Sequence, residues 1–186
     1  MNRVTLGTGL LFLLALGLSL PEWLSTEAPT QKSETEEAWV PNYQAKAMLS
    51  TLYNKNGKIN HQVYAEKMEH FDLLGFTLFK QPQYVLFAQA QYPWRINAAE
   101  GTLYDDQRLQ FENSVEINSL NEQGMVQVIR TDFVEVDLEA KTMVSDQLVN
   151  IAGPNYVIDS NGFSVSLETQ QYELLDHVKT IYQPEP

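Results

Sequence analysis

The stretch IRTDFVEVDLEAKTMVSDQLVNI occupies Ile129–Ile151. In its first half Val134, Val136 and Leu138 alternate with Glu135 and Asp137. A period of two with one polar face marks a half-buried strand, because successive side chains of extended backbone point to opposite faces. Acidic and polar residues then interrupt the pattern, and Val149 and Ile151 close it. The same reading extends outward. Val115 and Ile117 flank Glu116, and Phe163, Val165 and Leu167 alternate with Ser164 and Ser166. Turn signals stand at Asn56-Gly57, Asp105-Asp106, Gly124, Gly153-Pro154 and Asn161-Gly162. Beyond Pro41 no helical period appears. Short strands with frequent turns predict an all-β, antiparallel sheet that folds over itself.

The unit recurs. Segments starting at Val63, Ile96, Ile129 and Ile158 share one pattern, with starts separated by 33, 33 and 29 residues. Ile96–Ile117 reads INAAEGTLYDDQRLQFENSVEI and Ile158–Ile181 reads IDSNGFSVSLETQQYELLDHVKTI. Each opens on an apolar residue, crosses a polar stretch, alternates, turns and returns to an apolar close. Repeats of this length imply stacked supersecondary units sharing one elongated core; a plain β-meander is the competing explanation. A stacked sheet that does not close keeps an unpaired strand at each end. Those edges fall near Ala45–Tyr53, with Leu49 and Tyr53, and around Tyr172–Tyr182, with Tyr172, Leu174, Val178, Thr180 and Tyr182. They are the expected partner contacts.

The N-terminus is of a different kind. After Met1, Asn2 and Arg3, an uncharged apolar run spans Val4 to Leu20 and ends at Pro21. As helix it rises about 25 Å, and Trp23 and Leu24 carry it to the interface of a ~30 Å hydrocarbon layer. Residues 1–24 are therefore expected to be a retained anchor with Arg3 on the cytoplasmic side; a cleaved signal peptide is the alternative. Thr5, Gly7, Thr8 and Gly9 form a small-residue patch of the kind that packs helices in lipid. Residues 25–40, STEAPTQKSETEEAWV, are too polar to repay ordering and read as a flexible acidic tether. Residues 41–186 form the folded domain.

Composition excludes several classes. Among 186 residues the formal net charge is −12, with no basic patch for phosphate, so no nucleic-acid partner is expected. No cysteine is present, which removes disulfides, thiolate chemistry and cysteine-held zinc. His61, His70 and His177 lack metal-ligand spacing, and no metal or other cofactor is expected. His61 shares a strand face with Val63 and belongs at a core margin. Ser164 and Ser166 lack a nucleophile elbow, and Asp105 and Asp106 read as turn residues rather than paired catalytic carboxylates. No enzyme activity is expected, and catalytic residues are none.

Anchor, acidic tether and β repeats, in that order, resemble the LptC family of lipopolysaccharide export proteins. The resemblance rests on Tyr53-x-x-x-Gly57 leading into Val63-x-Ala65, on Phe79-x-Gln81-Pro82 followed by Phe87, and on Pro93-Trp94 leading to Ala98 and Leu103. Thr131-Asp132, Gly153, a turn at Gly162 and Thr180-x-Tyr182 complete it, so that it runs from the anchor to Tyr182. What the resemblance implies is a twisted, open β-jellyroll of OstA-like repeats in the periplasm, held by one transmembrane helix in the inner membrane. It further implies that lipopolysaccharide arrives from an inner-membrane ABC transporter complex (LptB, LptF and LptG) and leaves to a periplasmic LptA-like protein of the same fold. A purely structural bridge without lipid binding is the alternative, and an anchored enzyme acting on envelope sugar is a third.

An acyl chain of ~14 carbons costs about 11 kcal/mol to expose to water, at ~0.8 kcal/mol per methylene, so its carrier needs an apolar cleft. The inward candidates are Val63, Ala65, Phe87, Ile96, Leu109, Phe111, Val115, Ile117, Val134, Val136, Leu138, Val149, Ile151, Val165 and Leu167. Ordinary core packing accounts for each of them equally well.

Overall fold

The computed structural model describes residues 38–87, 93–121, 124–169 and 171–182. The apolar run Val4–Leu20 and most of the acidic tether lie outside them. The compact unit begins at Ala38. Trp39 packs edge-on against Phe71 and tilted against Phe76, both at 6.3 Å, which fixes the chain where it enters the sheet.

From Pro41 onward the regular elements of the described residues are β-strands apart from one 3-10 turn, Asp72–Leu74. The strands are β1 (Tyr43–Tyr53), β2 (Ile59–Phe71), β3 (Phe76–Lys80), β4 (Gln83–Leu86), β5 (Trp94–Asn97) and β6 (Glu100–Tyr104). There follow β7 (Arg108–Ser119), β8 (Val128–Asp137), β9 (Thr142–Ala152), β10 (Tyr156–Ser166), β11 (Tyr172–Leu174) and β12 (Lys179–Tyr182). Every pairing is antiparallel.

Bends in the long strands turn this one sheet into two layers. In β7 the ladder shifts between Glu112 and Val115, where Asn113 and Ser114 take positive φ of 64° and 57°. In β8 the buried face passes from Ile129 and Thr131 to Val134 and Val136, and β10 switches between Ser160 and Phe163. An extra residue in one strand of a pair bends it and reverses which side chains face inward. The first layer holds the second half of β2, then β3, β6, the first half of β7, the second of β8, the first of β9, the second of β10 and β11. The second layer holds the complementary halves, with β4 and β5 in place of β3 and β6, and β12 in place of β11. Tyr84 of the second layer meets Phe111 of the first at 5.9 Å, ring edge to face, so the apolar faces look at each other.

The repeat pattern acquires a structural meaning here. Val63, Ile96, Ile129 and Ile158 all lie on one cross-strand row, Val63–Tyr84–Ile96–Ile117–Ile129–Ile151–Ile158, on the inner face of the second layer. Each repeat returns the chain to the same level of the sheet.

Three of the sequence-based turns hold: Asn56-Gly57 joins β1 to β2, Asp105-Asp106 joins β6 to β7, and Gly153-Pro154 joins β9 to β10. The Gly124 amide bonds back to the Asn121 carbonyl, as a turn requires. The turn expected at Asn161-Gly162 does not exist. Both residues sit inside β10 at its register shift, and Gly162 has φ +96° with the Ser145 carbonyl 2.8 Å from where a Cβ would stand. Asn-Gly supplies left-handed backbone for a hairpin turn or for a bulge, and the flanking residues on both sides remain paired to β9, so the strand bends and continues.

Candidate functional site

The space between the layers is apolar and uncharged. Thirteen of the fifteen inward candidates are at most 8% exposed: Val63, Ala65, Ile96, Leu109, Phe111, Val115, Ile117, Val134, Val136, Val149, Ile151, Val165 and Leu167. Phe87, just past β4, and Leu138, just past β8, are half-buried. Where alternation placed these residues, it succeeded because the period-two rule survives each bend when the two half-strands are read separately. The first layer contributes the row Met68–Phe79–Gly101–Phe111–Val134, and beside it Thr77–Leu103–Leu109–Val136–Met143–Val165–Tyr172. In the described conformation these rows fill the space between them.

The polar residues buried between the layers are neutral. Thr131 and Ser145 lie 3.3 Å apart through their hydroxyls, and the Ser160 hydroxyl donates to the Gly162 carbonyl at 3.0 Å. Burial pushes the Tyr84 hydroxyl pKa up and the His61 pKa down, so both are uncharged at neutral pH. As expected from its strand face, His61 sits at the core margin, its ring stacked on Tyr84 at 5.1 Å.

A cavity of about 520 Å³ opens between the layers at their C-terminal end. Trp94, Ile151, Tyr156 and Ile158 line it from the second layer, and Tyr172 and Leu174 from β11. Burial first, then neighbouring Tyr156, raises the Tyr172 pKa; the Tyr156 hydroxyl donates to the Met125 carbonyl at 2.7 Å. Among the candidates only Ile151, Tyr172 and Leu174 reach this mouth. Trp94, Tyr156 and Ile158 also line the cavity and were not among the candidates, although Pro93-Trp94 belongs to the family resemblance and Ile158 opens a repeat. A second cavity, of about 600 Å³, lies at the bend and includes outward-facing Glu116, Arg130, Asn150 and Asp159. Its polar pairs are close, Arg130 to Glu116 at 3.1 Å and Asn150 to Asp159 at 2.7 Å. Hydrogen bonding from Asn118, with Arg130 adding to it, holds the Glu116 carboxyl below its ordinary range.

Both ends of the stack carry a free edge among the described residues. β1 pairs with β2 alone, and Leu49 (70% exposed) and Tyr53 stand out from it. The far end departs from the single strand drawn around Tyr172–Tyr182. The chain breaks there into two short strands, β11 on the first layer and β12 on the second, each paired only with β10. Tyr172 and Leu174 face inward, Val178 lies in the link between the strands, and Thr180 and Tyr182 are exposed on β12.

Two unpaired edges at opposite ends of an apolar stack frame the comparison with known proteins. The family model described as "Lipopolysaccharide-assembly, LptC-related" matches residues 9–183. The chain belongs to the LptC family. The lipopolysaccharide export system protein LptC of Escherichia coli (strain K12) is 25% identical over 160 residues, covering 82% of this chain and 83% of that protein. LptC of Haemophilus influenzae is 26% identical over 163 residues, covering 77% of each. In fold, the family's chain is similar to LptH of Pseudomonas aeruginosa, described as the LptA-homologous periplasmic component of a lipopolysaccharide transport device. That likeness has a TM-score of 0.53 at 9% identity, over 67% of this chain and 95% of that one. Family and fold together support a role in lipopolysaccharide transport, in a family of transport components.

Proposed function

We propose that the domain receives lipopolysaccharide from an inner-membrane ABC transporter complex at its β1 edge and passes it to a periplasmic LptA-like protein of the same fold at its β11/β12 edge. Acyl chains travel between the two layers, and the run Val4–Leu20 holds the protein in the inner membrane. The observation that carries this reading is the inner row from Val63 to Ile158, which runs from the neighbour of β1 to the strand beside β12. A chain sliding along that row meets apolar side chains at nearly every step and no charge. The filled interior means that the layers must part to admit it. Burying a ~14-carbon chain returns about 11 kcal/mol, enough to offset the loss of several side-chain contacts. Strand addition at either edge satisfies the free backbone groups and continues the layers into a partner.

The tight filling also favours the second reading, a structural bridge that holds no lipid. Photo-crosslinking in cells separates the two. A photo-reactive residue at Phe111 or Val136 is expected to capture lipopolysaccharide, whereas one at Glu135 or Glu116, on the outer faces, is not. Equal capture from both faces, or none from within, refutes the lipid path. Recovery of the labelled protein in the soluble periplasmic fraction refutes the anchor.

A further inference from the structure

Tyr84 breaks the chemistry of the row it belongs to. Its neighbours on that row are Val63 and Ile96, and the row continues through Ile117, Ile129, Ile151 and Ile158. The side chain is 3% exposed, its ring meets Phe111 of the opposite layer, and its hydroxyl is buried without a hydrogen-bond partner. A buried hydroxyl with no partner destabilises a folded domain, and phenylalanine would fill the same space without that cost. The group therefore points to an acceptor that arrives from outside the chain.

The position of Tyr84 says from where. It lies two strands in from the free β1 edge, and the side chains leading to that edge become steadily more exposed: Tyr84, then half-buried His61 stacked on it, then Leu52, paired with His61 on β1 and 44% exposed. The Asn60 side-chain amide lies 3.4 Å from His61 Nδ1 and donates to it, which leaves the imidazole proton on Nε2 as a second donor. An acyl chain attached to a sugar carries one strong acceptor into an apolar cleft, the carbonyl of its ester or amide link.

Resting on the lipid path proposed above, we infer that Tyr84, with His61 beside it, forms a polar subsite at the β1 end of the cleft that donates a hydrogen bond to the acyl-linkage carbonyl of a glycolipid. The subsite selects acylated sugars over ligands with bare hydrocarbon tails, and it stops the linkage at a fixed depth while the chain lies along the row beyond.

The test uses the full chain in lipid nanodiscs with a photo-reactive residue at Val136. It is offered two alkyne-tagged glucosides of equal 14-carbon chain length, one ester-linked and one ether-linked. Wild type and Tyr84→Phe are compared by their ester-to-ether crosslink ratio, in which partition into the disc and intrinsic labelling efficiency cancel. The ratio is expected to fall about three- to tenfold in Y84F, the worth of one net hydrogen bond, while the melting temperature of Y84F equals or exceeds that of wild type. An unchanged ratio overturns the subsite. So does a lower melting temperature in Y84F, which would show that the hydroxyl has a partner within the protein. Capture of neither glucoside by wild type overturns the lipid path itself and this inference with it.

Discussion

Replacing Gly153 by alanine should cost far more than one methyl group ordinarily does. Gly153 lies in the turn between β9 and β10, and its amide donates to the Tyr156 carbonyl at 3.0 Å. A Cβ there would stand 2.4 Å from Cε1 and Cζ of Tyr156 and 2.5 Å from the Met125 carbonyl oxygen. Those two groups are joined by the 2.7 Å hydrogen bond from Tyr156 to Met125 at the rim of the C-terminal cavity. The methyl and the clasp cannot share the space. Overpacking costs about 1–3 kcal/mol, and loss of the hydrogen bond adds roughly 0.5–1.5 kcal/mol. The sum, about 2–4 kcal/mol, lowers the melting temperature of a domain this size by roughly 5–15 °C. Thermal unfolding followed by circular dichroism measures it. Tyr156→Ala alone should cost about 1 kcal/mol from the lost bond and should relieve the clash with the ring but not the one with the Met125 carbonyl, so Gly153→Ala costs less in that background without becoming neutral. The cycle should then show a coupling of about 1–3 kcal/mol. A Gly153→Ala protein within 2 °C of wild type (about 0.5–1 kcal/mol), or strictly additive variants, would refute the reasoning.

Ending the chain at Leu174 removes β12 but leaves β11, and should abolish capture of a soluble LptA-like partner while the membrane complex still forms; pull-down of both partners checks this, and undiminished partner capture would sink the end-to-end arrangement. His61 should make stability depend on pH. Burial depresses its folded-state pKa below the ordinary 6.5, so the unfolded chain binds the proton more readily, and stability is full above that value and declines as pH falls from there towards the folded pKa. His61→Gln should flatten that part of a denaturant-midpoint profile between pH 7 and pH 5, and an unaltered profile would show that the imidazole is not the titrating group.

The apolar and polar alternation in Val134–Leu138 and Phe163–Leu167 is local and was enough to assign strands; together with the repeat segments and the family resemblance it led to thirteen candidates that prove to be buried. Spacing alone also exposed the repeats, although it could not show that Val63, Ile96, Ile129 and Ile158 stand on one row. That alignment depends on register, which is settled by pairings between residues far apart in the chain. Asn161-Gly162 shows the limit most clearly. The dipeptide encodes left-handed backbone in either setting, and only β9 lying alongside both flanks makes it a bend instead of a reversal. The division of the C-terminal segment between two layers follows from the same bend, since β10 presents one half to each layer and β11 and β12 each take one. Tyr84 reads as an ordinary strand aromatic in the sequence. Its significance rests on what does not reach its hydroxyl, and the set of atoms around a buried group exists only once the layers have closed over it.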